Sequence, residues 1–262
     1  MRSTFMPKES FFHHEKLYRS FTEYSPEKAN VLLDEIGLTQ RDSKGYRTFK
    51  DGTDMVWHLT VPQGELDGPG DLIVDDWNKV GVHTIQERPA NSIFHLQQTT
   101  RKIEFSIWPG DAEYIPVIVP ERLAGLSVFQ AYGYYLWFMG GGLYGNPKAT
   151  EFGGIEPPVG SPIRQAMKLV DESYSAINRE EQLLIFNKLF DIAAENVWSI
   201  NIATSPPFPV VVKNGFKNVP TNAAYSGVFL TPSNAGLETY YFETPYNSSG
   251  AIAKIKEEMI KL

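Results

Sequence analysis

No cysteine occurs in the 262 residues. That absence excludes disulfides, thiolate nucleophiles and cysteine-ligated zinc or iron–sulfur centres, but it leaves the compartment open. Histidine is scarce as well: His13 and His14 adjoin Glu15, while His58, His83 and His95 are scattered. Adjacent side chains on a helix point in different directions, so no metal site and no cofactor are expected. Positive charge is outnumbered, 24 Lys and Arg against 31 Asp and Glu, a net −7. A nucleic-acid face would have to be built against that field, so no nucleic-acid partner is expected.

Long hydrophobic runs are also missing. Leu123 to Pro147 has no charged residue, yet six glycines, Gln130, Asn146 and four tyrosines break it up, whereas a membrane helix needs about 20 predominantly apolar residues. A buried or cleft-lining aromatic segment is the better reading. Met1 to Ser10 carry Arg2, Lys8 and Glu9 with no apolar run behind them, so no signal peptide is expected within this sequence. No G-x-S-x-G, H-E-x-x-H or P-loop occurs. Gly140, Gly142 and Gly145 match the dinucleotide-binding spacing, but an aromatic run precedes them and Asn146-Pro147 follows, so they read as a glycine-rich turn. The 31 carboxylates permit many acid pairs and nothing singles one out. A carbohydrate-active hydrolase is therefore the alternative, and a non-enzyme the main expectation.

What is present is a foldable chain, 42% hydrophobic and 21% charged. Ser25 precedes Pro26, Ala29, Leu32, Leu33 and Ile36 at helical spacing, and Gly37 closes that helix. Asp42 to Arg47 and Lys50 to Asp54 are turn signals. Met55 to Val61 alternates like a strand, Leu72 to Val80 reads as a helix ended by Gly81, and Val82 to Glu87 is a second strand. A helix from Asn91 to about Thr100 and a third strand from Ile103 to Trp108 follow. Two long amphipathic helices come next. Ile163, Ala166, Met167, Val170 and Tyr174 form one stripe, and Leu183, Phe186, Leu189, Phe190 and Ala193 the other, with Asn178 and Glu181 placed for a capping box. Val197 to Ala203 and Val210 to Val212 read as strands, the latter short and buried, and Gly250 to Leu262 as a charged amphipathic helix. Alternating helices and strands predict an α/β layer protein.

Aromatic density peaks in the middle, at Trp108, Tyr132, Tyr135 and Trp137 among others. Large, stiff, amphipathic rings make walls for a small-molecule or peptide site, or a core. Asp111, in the turn after Trp108, offers a carboxylate either to a ligand cation or to its own backbone.

Five segments carry a resemblance: Tyr24 to Leu38, Asp75 to Val82, Gly153 to Glu172, Ala194 to Asn201 and Val210 to Pro220. In order and spacing they resemble the C-terminal half of family 5 extracellular solute-binding proteins, the oligopeptide- and dipeptide-binding components of bacterial ABC importers. The likeness runs from about Ser20 to Phe242. It implies a periplasmic-binding-protein-like (type II) lobe, a mixed sheet flanked by helices, over residues 1–205, with residues 206–262 returning to complete a first lobe that lies outside this sequence. It implies a periplasmic location, a small solute held between two lobes, most of all an oligopeptide, and permease subunits of the inner membrane as partners. Trp108 and Asp111 fall where the family contacts the ligand's amino-terminal end. Tyr132, Tyr135 and Trp137 complete the expected ligand-binding set, with no catalytic residue; sugar binding on the same fold is the alternative.

Overall fold

The computed structural model describes residues 6, 8–64, 66–108, 115–127, 130–202, 209–225 and 229–243. The chain divides into two compact units, 1–204 and 205–262.

The first unit holds the parallel sheet. Strand β1 (Val56–Thr60) pairs along its length with β2 (His83–Glu87), from Val56 opposite His83 to Thr60 opposite Glu87. On its other side β1 pairs with β3 (Phe105–Ser106), giving the order β2-β1-β3. Parallel neighbours need long crossovers. Two helices supply them, α3 (Asp67–Lys79) from β1 to β2 and α4 (Asn91–Thr99) from β2 to β3. Leu59, Val61 and Ile107 form the small core of this layer, covered by Leu66, Ile73 and Val74. The third strand is shorter than the alternation predicts: the His58 N–H donates to the Glu104 carboxylate at 2.9 Å, so a side chain stands in where the ladder would continue.

Before the sheet come α1 (Glu15–Arg19) and α2 (Pro26–Glu35). The Ser25 hydroxyl caps α2 by accepting from the Lys28 N–H, as the sequence signals. Its apolar stripe nevertheless buries nothing: Leu32 is 58% exposed and Ile36 is exposed too. A polar lattice holds the helix instead. Arg47, 1% exposed, donates from Nε to the Val80 carbonyl, from one terminal nitrogen to Asp34 and the Leu38 carbonyl, and from the other to the Asn30 carbonyl and side chain. The Asp42 turn forms as predicted, its carboxylate accepting from the Lys44 and Tyr46 N–H groups at 2.8 Å.

A second core lies among α5 (Tyr132–Met139), α6 (Pro162–Ser175) and α7 (Arg179–Asn196), built on Met167, Val170, Phe186, Leu189 and Phe190. The Glu181 N–H donates to Asn178 while the Glu181 carboxylate accepts from the Ile177 N–H, the expected reciprocal cap shifted by one residue. Tyr174 departs from the predicted stripe and is exposed. The aromatic run contains the regular helix α5. Apolar residues all round its short length suit a helix set against a core.

Two predicted strands do not form among the described residues. Val197 takes a left-handed conformation (φ 48°) that ends α7 and turns the chain, and Trp198 then packs against Gly125 rather than entering a sheet. Ala203 lies outside the described residues. In the second unit Val210–Val212 joins no strand and is exposed, Val211 by 95%. An apolar run reports β propensity and not the neighbour that would pair with it. That unit's sheet is the antiparallel pair β4 (Phe216–Lys217) and β5 (Tyr241–Phe242), with the Phe216 and Phe242 rings 4.8 Å apart. The expected C-terminal helix also lies outside the described residues.

Candidate functional site at the carboxyl end of the parallel sheet

Parallel strands deliver their C-terminal loops to one edge, and ligands of open α/β sheets collect where neighbouring strands send the chain in different directions. Here the chain leaving β1 crosses to β2, away from β3. Backbone bonds carry the β1–β2 pairing past the strands, from the Val61 N–H to the Glu87 carbonyl at 2.8 Å and from the Gln63 N–H to the Pro89 carbonyl at 3.1 Å. Arg88 at this edge is held by Asp71 at 2.5 Å.

Trp108 sits just past β3. Its ring stacks on Phe94 of α4 with centroids 5.5 Å apart and planes 8° apart, and His95 meets it edge-on at 5.5 Å. Phe94 is fully buried whereas Trp108 is 36% exposed. The indole is thus backed by a fixed ring and open to solvent in part, a rigid platform of low conformational cost. Asp111 lies outside the described residues.

The other expected residues belong to α5 and the second core. Tyr132 and Tyr135, one turn apart, stack with centroids at 6.4 Å. Loss of hydration around the Tyr135 hydroxyl, and secondarily the Glu121 charge, raise its pKa above the ordinary tyrosine value. Trp137 is 4% exposed, with the Arg164 guanidinium 5.0 Å from its ring centre, and a methyl group on Gly142 would land inside its indole. The structure gives this ring to packing. It also explains one glycine of the G-x-G-x-x-G match as the space the indole fills.

Sequence reasoning missed Glu121 and Tyr174. The Tyr174 hydroxyl donates to Glu121 at 2.8 Å, and desolvation first, then that carboxylate, push its ionisation far above the ordinary range. The second Glu121 oxygen is buried with no hydrogen-bond partner among the described residues. Nothing local marks Glu121 among 31 acidic residues; α6 alone brings Tyr174 to it. Among the described residues no group of three or more His, Asp or Glu is placed to hold a metal, and no helix is long and apolar enough to cross a membrane.

No family model and no curated protein matches this chain. Solved structures do. An oligopeptide-binding protein, OppA, aligns with a TM-score of 0.70 and 24% identity over 93% of this chain and 39% of its own. The fold is that of a periplasmic binding protein. The periplasmic binding protein MelB in complex with stachyose, from Agrobacterium fabrum, aligns at TM-score 0.57 and 13% identity over 76% of this chain and 28% of its own. A mannohexaose-bound periplasmic oligopeptide-binding protein of an ABC transporter from Thermotoga maritima gives 0.53 and 19% over 79% and 36%. The chain therefore spans about two fifths of OppA and less of the other two. These neighbours are binding proteins, and at such identities the fold is what they share with this chain.

Proposed function

We propose that this chain is one lobe, with a returning segment, of the solute-binding component of an ABC importer. It works without catalysis in the periplasm and hands a small solute, most of all an oligopeptide, to inner-membrane permease subunits. Residues 1–205 form the second lobe and 206–262 return to a first lobe. The observation that carries the reading is Trp108: a half-open indole, backed by Phe94, at the carboxyl edge of a parallel sheet whose fold aligns with a peptide binder at TM-score 0.70. Asp111 supplies the carboxylate for a ligand's ammonium end, and Tyr132 and Tyr135 a second aromatic surface. The exposed valines 210–212 are what a strand awaiting another sheet displays.

Sugar binding is the second reading. Two neighbours are named with stachyose and mannohexaose, and a flat indole face suits a sugar ring as well as a peptide.

Calorimetric titration of the chain with mixed tripeptides to pentapeptides, and separately with stachyose and mannohexaose, decides between them. Peptide heats that weaken about tenfold in Trp108→Ala, roughly 1.4 kcal/mol, support the main reading. In Asp111→Asn the loss should be confined to peptides with a free amino terminus. Heats from the sugars alone would transfer the site to the second reading, and silence from both ligand classes would sink the proposal.

A further inference from the structure

An apolar cavity open to solvent, which does not include Trp108, lies between α2 and the sheet. It measures about 460 Å³, and its ten lining residues include Ala29 and Leu33 of α2, Trp57 of β1, Trp77 of α3 and Phe105 of β3. That size falls within the usual range of small-molecule sites, about 300–1,000 Å³. None of the ten side chains is charged, and apart from the indole N–H groups of the two tryptophans none can donate or accept a conventional hydrogen bond.

Such a space would ordinarily be closed by the helix settling onto the sheet. Here α2 is held by bonds that do not depend on apolar contact. Arg47 ties Asn30 and Asp34 of α2, and Leu38 just past it, to the Val80 carbonyl at the end of α3. Arg41 donates to the Asn30 side-chain oxygen at 2.9 Å and to the Val80 carbonyl at 3.4 Å. These bonds fix α2 to the end of α3 through polar groups. Ala29 and Leu33 line the cavity while α2 buries none of its residues. Leu32, which also lines it, is more than half exposed.

We propose that this cavity binds a neutral, hydrocarbon-like small molecule, recognised by shape and apolar burial alone. The charge argument fixes the class. A carboxylate or ammonium carried inside would lose hydration and meet no charged partner, while a neutral apolar body matches an uncharged wall. Three aromatic rings, with Trp57 and Trp77 each edge-on to Phe105 at 5.3 and 5.2 Å, give stiff walls that a flat or extended hydrocarbon can fill. The inference goes beyond the solute-importer reading and stands or falls independently of it.

The test uses N-phenyl-1-naphthylamine, a neutral apolar fluorophore that brightens out of water and takes energy from nearby tryptophans. Titrated into the chain, it should give saturable brightening at one probe per chain, with quenching of tryptophan emission from Trp57 and Trp77. Ala29→Phe fills the cavity and should weaken the probe at least tenfold while far-ultraviolet circular dichroism is unchanged. Should Ala29→Phe fail to fold, Leu32→Phe, at an exposed lining position, should weaken the probe in the same sense. Absence of saturable binding, or equal affinity in a folded Ala29→Phe or Leu32→Phe chain, overturns the proposal. So does sedimentation showing that chains pair at the concentration where probe binding vanishes, since a second copy would then be the occupant.

Discussion

Arg47 donates to Asp34 at 2.6 Å from a side chain that is 1% exposed, while Asp34 itself is 55% exposed. The pair is therefore lopsided. Asp34 keeps most of its water, whereas Arg47 has given up its own and spends all five of its N–H donors on Asp34, Asn30, Leu38 and Val80. Replacing the guanidinium with an apolar chain removes every bond Arg47 makes to the Val80, Leu38 and Asn30 carbonyls and the Asn30 side chain, of which Arg41 still serves Asn30 and, more weakly, Val80. Arg47→Met should cost about 3 kcal/mol in urea unfolding. Asp34→Asn, which removes only a half-solvated charge, should cost under about 1 kcal/mol. Equal losses would show that the ion pair, and not the carbonyl lattice, holds α2.

Gly142 carries no side chain because the Trp137 indole occupies that place. Gly142→Ala must displace a buried ring, and overpacking of this kind costs about 1–3 kcal/mol. Thermal unfolding should record the loss, and the near-ultraviolet tryptophan signal should change with it. An unaltered signal and midpoint would show that the indole has room to move.

His14 caps α1 by accepting from the Leu17 N–H at 3.3 Å through Nδ1, which requires that nitrogen to be unprotonated. Burial first of all lowers its pKa from 6.5, with the nearby Lys16 and His13 acting the same way against the opposing pull of Asp191. The unfolded chain then binds this proton more readily than the folded one, so the contribution is complete above about pH 6.5 and is lost as pH falls through the lower folded value. His14→Asn keeps a capping acceptor that does not titrate. Unfolding free energies measured across that window should slope for the wild type and flatten for the variant; parallel slopes would remove His14 from the effect.

Tyr174 and Tyr135 both have raised pKa values, chiefly through lost hydration. For an acid whose folded value is raised, the stabilisation is present below the unfolded value of about 10 and fades as pH rises further. Ultraviolet titration of the folded chain should show a late-ionising tyrosine step that Tyr174→Phe removes. The same variant strips Glu121 of its hydroxyl partner and should cost about 1 kcal/mol. A titration unchanged by the substitution would place the hydrogen bond elsewhere.

Features governed by near neighbours in sequence were legible in advance. Ser25 and Asn178 cap because an oxygen at the right offset meets the orphan N–H groups of the first turn. The parallel β1-α3-β2 unit follows from the period of its apolar residues. Trp108 is a candidate from the aromatic density of the sequence and the family resemblance, while its stacking on Phe94 emerges only from the packing of α4. Tyr132, Tyr135 and Trp137 looked alike in sequence. Their environments differ because the core around Gly142 encloses one ring and leaves the other two half-buried.

Some properties need no tertiary structure. The lack of cysteine removes thiolate chemistry, the excess of carboxylates disfavours a phosphate-binding face, and periodicity sets the α/β layering, all of them consequences of composition or local order. Other properties depend on what each residue meets across the fold. The apolar stripe of α2 predicts burial, yet no residue of α2 is buried, its C-terminal half is tied down by Arg47, and Ala29, Leu32 and Leu33 line an open apolar cavity. The valines 210–212 carry strand propensity and find no strand partner among the described residues. Glu121 became distinct from the other acids only when α6 set a hydroxyl against it. Hydrogen bonds, desolvation and pairing are relations between distant residues, and their strength is fixed by distances that the chain acquires on folding.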